Sequence, residues 1–324
     1  MHALKLALGI ACFRKPDKLI SENNKRLSFK AHFSVIAASC MWGSVGIFVR
    51  TLDTHGYSPL TIVFVRMSIA FVILLACLCL LKKSSLLHIK IRDLWIFIGT
   101  GVSSAVLLNL FYSVSIVMNS LSLASVLLAT APFFVVFLSA PLFKEKITII
   151  KVTALFAAFI GCVFTSGLLG SGAVFNPLGI LIGVLSGLGW AVYNIFSRFA
   201  LNRGYDSLTI NLYSFGLGSI ACIPFTDFNV IITSLQTDTG FMSVLLLTHT
   251  LFASLLPYVL FTYGLNYIES GKASIMGGIE IITAAVIGAI IYAEIPSAVV
   301  VVGIALVLFA VFLLNLPRKL ISKS

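Results

Sequence analysis

The hexapeptide YSPLTI at residues 57–62 recurs as YDSLTI at residues 205–210, at an offset of 148 residues. At the same offset, Trp42 corresponds to Trp190 and Arg50 corresponds to Arg198. At an offset of 149, Ala124-Ser125 corresponds to Ala273-Ser274 and Glu145 to Glu294. A nearly constant offset over this distance indicates one structural unit present in two copies.

The composition indicates a membrane protein. Of the 324 residues, 59% are hydrophobic and only 10% are charged, whereas soluble domains carry roughly 25% charged residues. The apolar runs are long enough for helices to cross a hydrocarbon core of about 30 Å, and they lack the alternation of a membrane barrel. The net charge of +11 does not indicate nucleic-acid binding, because the basic residues lie in short pieces between apolar runs.

We therefore predict an all-α integral membrane protein with ten transmembrane helices. The predicted spans are 33–51, 59–81, 94–118, 121–143, 147–168, 178–201, 207–226, 241–267, 272–293 and 296–316. Lys and Arg residues collect on one side of this arrangement, and only Arg50 falls in an outer loop. Because cytoplasmic loops are enriched in Lys and Arg, we expect a multi-pass protein of the plasma membrane with both termini in the cytoplasm.

The predicted domains follow from the repeat. Residues 33–168 form the first five-helix repeat and residues 178–316 the second, with a basic cytoplasmic segment at 1–32 and a basic cytoplasmic tail at 317–324. Five is an odd number, so the second repeat enters the membrane inverted relative to the first. Inverted repeats are typical of secondary transporters, in which two halves alternate access to one site near the midplane.

These residues resemble the EamA-type family of the drug/metabolite transporter superfamily. The resemblance rests on the tryptophan in the first helix of each repeat, the Ala-Ser pair that opens each fourth helix, and the glutamate at that helix's exit. Pro132 matches the mid-helix proline of the family, whereas the family's Glu-Pro in the second repeat is Glu280-Ile281 here. The resemblance covers roughly residues 33 to 316 and implies the export or exchange of small metabolites, often amino acids.

Two ionisable residues lie well inside predicted spans, Arg66 in the second and Glu280 in the ninth. A charge at a helix centre costs about 2.5–3.5 kcal/mol on insertion scales, so such residues usually mark a transport path or a partner. Arg66 would attract a carboxylate or phosphate, and Glu280 would bind an ammonium group or carry a coupling proton. Alternatively, the two residues form a structural ion pair, or Arg66 extends to the outer interface.

Polar and aromatic residues inside other spans complete the predicted binding site. In the eighth span, polar side chains recur every four residues and share one helix face, which indicates cavity lining or hydrogen bonding between helices. Trp42 and Trp190 would form aromatic walls, or they serve only in packing. The candidate substrate-binding residues are Trp42, Arg66, Asn109, Tyr112, Trp190, Asn194, Tyr258, Thr262 and Glu280.

The sequence contains no nucleotide-binding loop, metal-ligand set or nucleophile motif, so we expect no cofactor, no metal and no enzymatic activity. Glu145 and Glu294 are expected to lie near the N-terminus of the helix that follows each of them. The predicted function is secondary active transport of a small polar metabolite by alternating access. The alternatives are a passive facilitator or channel and a membrane enzyme acting on lipid-linked substrates. The expected partners are the substrate, the bilayer and a coupling proton; a monomer is compatible with the sequence, which leaves the oligomeric state open.

Overall fold

In the computed structural model, which describes residues 22–119, 121–166, 168, 176–291 and 297–315, the chain forms a bundle of apolar helices. Eight helices have the length and hydropathy to cross a membrane, and two more are apolar but shorter. In chain order these helices are α1 (Phe29–Thr54), α2 (Pro59–Leu80), α3 (Ile91–Met118), α4 (Leu123–Phe143), α5 (Ile149–Thr165), α6 (Pro177–Asn202), α7 (Ser207–Phe225), α8 (Thr239–Leu265), α9 (Ser270–Ile291) and α10 (Ala298–Leu314). A short helix, Phe228–Thr237, lies between α7 and α8.

Each predicted span coincides with one of these helices to within four residues at either end. The short helices are α5 and α10; at about 1.5 Å per residue they fall below the length that usually spans the hydrocarbon core. Ten membrane crossings therefore stay a prediction. The tail at 317–324, residues 1–21 of the N-terminal segment, and Glu294 lie outside the described residues.

The repeated stretch adopts the same local structure in both copies. Gly56 and Gly204 precede it with φ angles of +80° and +85°, a left-handed conformation that glycine adopts without steric cost and that commonly ends a helix. Ser58 then caps α2 and Asp206 caps α7, each accepting a hydrogen bond from a backbone N–H of the first turn at 3.2 and 2.8 Å. The sequence recurs because each copy needs a helix end, a turn and a helix start at this point.

The helices are irregular at equivalent places in the two repeats. The π-helical segment of α3, Ser103–Leu110, begins 148 residues before the π-helical segment of α8, Leu251–Leu255. Helical geometry is interrupted at residues 129–130 in α4 and at residues 277–278 in α9, again at an offset of 148. Pro132 follows the first interruption, and Gly277-Gly278 forms the second. In a bilayer such irregular backbone is tolerated where it is buried in protein or lines a cavity.

Close backbone contact holds α5 against α10. A Cβ atom placed on Gly161 would lie 2.8 Å from the carbonyl oxygen of Gly303, and one placed on Gly303 would lie 2.7 Å from the carbonyl oxygen of Gly161. The last helix of each repeat therefore packs against the other through paired glycines, as small residues allow between membrane helices.

Candidate functional site

Two tryptophans at equivalent repeat positions meet where the repeats face each other. The rings of Trp42 in α1 and Trp190 in α6 lie edge to face, with centroids 5.2 Å apart. Tyr258 of α8 packs edge to face on Trp42 at 5.3 Å, and Phe261 packs on both indoles at 5.5 and 5.4 Å. Edge-to-face packing at these distances is favourable for aromatic quadrupoles. These four side chains form what we call the aromatic wall.

Arg66 of α2 lies beside the aromatic wall and is buried, with 8% of its surface exposed. Its Nη1 donates to the carbonyl oxygen of Ala253 at 3.1 Å, and its Nη2 donates to Oδ1 of Asn109 at 3.2 Å. Trp42 Nε1 donates to the same Ala253 carbonyl at 3.2 Å. Arg66 therefore does not extend to a membrane interface. The Ala253 carbonyl accepts hydrogen bonds from both Arg66 and Trp42.

The irregular backbone explains why that carbonyl is available. Ala253 lies in the π-helical segment of α8 and Asn109 in that of α3. A π-helical turn disturbs the regular i to i+4 pairing, so local carbonyls can accept side-chain donors, and such turns are frequent at functional sites. The guanidinium of Arg66 bridges the two π-helical segments, one from each repeat.

Glu280 occupies a different environment from Arg66. It lies two residues beyond the interruption of α9, and its side chain is exposed. Within the described part of the chain, its carboxylate makes no hydrogen bond and no ion pair. Its charge is close enough to Arg66, Tyr112 and Tyr258 to act on them electrostatically. The structure thus contains no Arg66–Glu280 ion pair.

The backbone of Glu280 is held directly against α1. A Cβ atom added to Gly43 would lie 2.4 Å from the carbonyl oxygen of Glu280 and 2.6 Å from Cβ of Thr283. Gly43 follows Trp42 and precedes Ser44, where helical geometry in α1 is interrupted. The contact fixes Glu280 relative to the aromatic wall.

The remaining predicted residues divide between the two ends of the site. Tyr112 hydrogen bonds the Ser125 hydroxyl at 2.9 Å and lies on the side of Glu280. Thr262 is fully buried and hydrogen bonds the hydroxyl of Tyr193 at 3.1 Å, a bond between helices. Asn194 donates to the carbonyl oxygen of Trp190 at 2.9 Å. Thr262 and Asn194 lie in a packed layer behind the aromatic wall.

An ionic cluster that sequence reasoning missed lies at the end of the bundle formed by the α4–α5 and α8–α9 turns. Lys151 is 2% exposed, and its Nζ lies 3.4 Å from Oε2 of Glu145 and 3.0 Å from Oε2 of Glu269. Glu145 also accepts from the backbone N–H groups of Ser270 and Gly271, at 2.7 and 3.3 Å. The one feature of the sequence that points to this cluster is a lysine at the start of an apolar helix.

These contacts correct the expectation for Glu145. Its carboxylate binds the N-terminus of α9, in the other repeat, and not the N-terminus of α5, which follows it in the chain. The physical reason is that the first N–H groups of α9 lack partners within their own helix and Glu145 reaches them across the repeat interface. Thr148 caps α5 instead, accepting from the backbone N–H of Lys151 at 3.3 Å.

Among the described residues, no group of three or more His, Cys, Asp or Glu side chains is arranged to hold a metal ion. The guanidinium of Arg66 lies beside the aromatic wall, and the backbone of Glu280 packs against Gly43, the residue that follows Trp42. Together with the aromatic faces, they can recognise a small molecule that carries both charge and apolar surface.

Comparison with known proteins agrees with this architecture. The EamA-like transporter family matches residues 29–167 and again residues 177–316. An uncharacterized transporter of Archaeoglobus fulgidus is 28% identical over 261 residues, covering 81% of this chain and 90% of that protein. The uncharacterized transporter YoaV of Bacillus subtilis is 24% identical over 250 residues, covering 76% of this chain and 82% of that protein.

A solved crystal structure has the same fold, with a TM-score of 0.70 at 17% sequence identity, covering 91% of this chain and 99% of the other. The resemblance inferred from the repeated residues is confirmed by the two family matches, which together span most of the chain. This chain is a multi-pass membrane protein that belongs to the EamA-like transporter family.

Proposed function

We propose that this protein is a secondary active transporter that moves a small polar metabolite, an amino acid or a related compound, by alternating access. In this proposal ten helices cross the plasma membrane as two inverted repeats, and both termini face the cytoplasm. Export or exchange is the expected mode. The observation that carries the proposal is that Arg66 of one repeat lies beside an aromatic wall built from both repeats, while the backbone of Glu280 packs against Gly43, next to Trp42.

The arrangement of the repeats supports a shared central site. Trp42 and Trp190 are repeat equivalents that contact each other, and equivalent positions meet only near the pseudo-symmetry axis of a two-fold arrangement. For repeats inverted in a membrane, that axis lies in the membrane plane, so the site lies near the midplane. A site at that depth can be reached from either side if one repeat moves relative to the other.

The interrupted helices support the same conclusion. The π-helical segments and the breaks in α4 and α9 occur at equivalent positions of both repeats and surround the aromatic wall. Discontinuous helices in transporters present backbone groups to the substrate at the midplane. They also supply the points at which a half-helix can pivot.

The roles of the two charges follow from their surroundings. Arg66 is held by two acceptors, so it offers a positioned cation that a substrate carboxylate or phosphate can approach. Glu280 is unpaired among the described residues and exposed, so it can bind an ammonium group or carry the coupling proton. The other substrate contacts in this proposal are Trp42, Asn109, Tyr112, Trp190, Asn194, Tyr258 and Thr262.

Counterflow in proteoliposomes tests the proposal. Purified protein is first screened by thermal shift against amino acids, nucleosides, vitamins and sugar phosphates, and the stabilising compound is then used as the labelled substrate. We expect preloaded unlabelled substrate to drive transient accumulation of labelled substrate. A passive channel would equilibrate the label without overshoot, and a membrane enzyme would convert the compound without accumulating it. Either result would contradict the proposed function.

A further inference from the structure

The buried lysine of the ionic cluster is not a requirement of the five-helix fold. At the offset of 149 residues, Lys151 of α5 corresponds to Val300 of α10, and Glu269 corresponds to Ser120. If a buried cation were needed to build the repeat, both copies would carry one. Burying an ammonium group is costly unless it is paired, so this cluster serves something that only one end of the bundle needs.

The cluster joins the two repeats at that end. Glu145 and Lys151 belong to the first repeat, whereas Glu269 and the N-terminus of α9 belong to the second. Arg198 of α6 donates to the carbonyl oxygens of Leu265 and Ile268, which belong, like Arg198, to the second repeat. Separating the repeats at this end would break the Lys151–Glu269 ion pair and the bonds from Ser270 and Gly271 to Glu145.

Behind the cluster lies a layer of buried polar atoms without partners. Within the described residues, the side-chain oxygens that are buried and lack a hydrogen bond include those of two α6 residues, Asn194 and Ser197, and two α9 residues, Ser270 and Ser274. These four side chains are at most 3% exposed. An unsatisfied buried polar group destabilises the conformation that contains it. A second conformation in which water reaches these atoms would remove that cost.

Buried positions on α1 and α9 are concentrated toward the ionic cluster. In α1 and α9, the halves nearer the ionic cluster contain most of the buried positions. None of the described residues 44–51 of α1 is buried, and Gly288 is the only buried residue among the described residues 280–291 of α9. A Cβ atom added to Gly46 of α1 would meet nothing within 4 Å. The structure is therefore closed at the ionic cluster. At the opposite end these parts of α1 and α9 are less buried, while Leu52, Tyr57 and Met242 form a separate buried cluster there.

From these observations we propose that the ion pairs of Lys151 hold the transport path closed at the end formed by the α4–α5 and α8–α9 turns, and we call these ion pairs the latch. When the latch breaks, a route opens that is lined by Asn194, Ser197, Ser270 and Ser274. This proposal rests on the proposed function and on alternating access. The predicted orientation makes this the cytoplasmic end. Because Val300 occupies the equivalent position in the second repeat, that repeat has no lysine there to form the same latch. We expect the resting protein to be closed at the cytoplasmic end.

Accessibility of a single cysteine tests the latch without requiring transport. The six native cysteines are replaced, and Ser274→Cys is introduced, because the Ser274 hydroxyl has no hydrogen bond to lose among the described residues. A membrane-impermeant maleimide is then applied to each face of the membrane in right-side-out and inside-out vesicles. We expect slow labelling in the latched protein. In Lys151→Met the labelling rate from the cytoplasmic face should be about tenfold higher, because the carboxylates of Glu145 and Glu269 lose their cation and the population shifts toward the conformation that is open at this end.

Lys146→Met is the matched control, since Lys146 lies in the same turn and is exposed; it should leave the labelling rate unchanged. Glu269→Gln, at a side chain that is 33% exposed, removes one of the two ion pairs and should give an intermediate rate. If Lys151→Met yields no monodisperse protein, Glu269→Gln decides the test. Labelling rates equal to that of Lys146→Met in these variants would overturn the latch.

The accessibility result separates the latch from the proposed function. If labelling responds to Lys151→Met but no variant supports counterflow, the latch stands and the transport proposal fails. If counterflow is observed but labelling does not respond, transport stands and the latch is wrong.

Discussion

Trp42 and Trp190, 148 residues apart and equivalent in the two repeats, meet edge to face with ring centroids 5.2 Å apart. Among the described residues, only one of the two indole N–H groups donates to the backbone of α8, through the bond from Trp42 to Ala253 at 3.2 Å. Equivalent residues have therefore taken different roles at the contact between repeats. Trp42 fixes the wall to α8, and Trp190, which is half-buried, stacks on Tyr193 of its own helix with ring centroids 5.3 Å apart.

Trp42→Phe should destabilise the protein modestly. The substitution keeps an aromatic ring in the wall but removes the hydrogen bond to the Ala253 carbonyl, which Arg66 then satisfies alone; the expected loss is about 1 kcal/mol. Thermal unfolding in detergent measures it. Trp190→Phe is the control, because the structure gives the Trp190 indole N–H no hydrogen bond within the described chain; an equal loss in both variants would argue against the Trp42–Ala253 bond.

Arg66→Ala should weaken binding of anionic substrates. It removes a positioned guanidinium whose charged hydrogen bonds are each worth about 1.5–3 kcal/mol, so affinity for a carboxylate-bearing substrate should fall about tenfold to a hundredfold. Binding is measured by thermal shift and by uptake. Arg66→Lys keeps the charge but cannot bridge the acceptors on Ala253 and Asn109, so it should be intermediate. Unchanged uptake of a zwitterion by Arg66→Ala would exclude the carboxylate role.

Glu280→Gln should abolish coupling or substrate binding without affecting stability. Among the described residues the carboxylate has no hydrogen bond or ion pair to lose, so the free energy of unfolding should change by less than about 0.5 kcal/mol. Uptake driven by an imposed pH gradient is the measurement. Normal uptake would remove Glu280 from the mechanism.

Glu145→Gln should destabilise the protein, in contrast to Glu280→Gln. Its carboxylate accepts from Ser270, Gly271 and Ser139 and pairs with Lys151, so loss of its charge leaves a buried lysine short of one partner. We expect a clear drop in thermal stability, on the order of 3 kcal/mol. A variant as stable as the parent protein would contradict the contacts described at this end.

Gly43→Ala and Gly46→Ala form a matched pair on α1. The new methyl group at position 43 would lie 2.4 Å from the carbonyl oxygen of Glu280, whereas nothing lies within 4 Å of one at position 46. We expect Gly43→Ala to push α1 from α9, lowering stability by about 1–3 kcal/mol, and Gly46→Ala to be neutral or stabilising by about 0.5–1 kcal/mol. Thermal unfolding of both variants is the measurement, and equal values would refute the close approach.

Several features could be predicted from the sequence because they depend on residues that are neighbours along the chain. The helix positions follow from the lengths of apolar runs, and the turn before α2 and α7 follows from Gly-Tyr and a capping residue. The site residues Arg66 and Glu280 could be singled out because charge inside an apolar run is costly wherever it occurs. Their roles in transport stay proposals.

The membrane class, the helices, the duplication and the family resemblance could all be inferred from the order of residues along the chain. The folded structure was needed to show that Arg66 and Trp42 share the Ala253 carbonyl, across 187 and 211 residues of chain, and that Glu145 binds the start of α9, 125 residues away. The physical reason is that apolar run length and turn chemistry act over a few residues. Contacts between the repeats depend instead on how the two helix bundles dock. That docking is determined by side-chain packing throughout the chain.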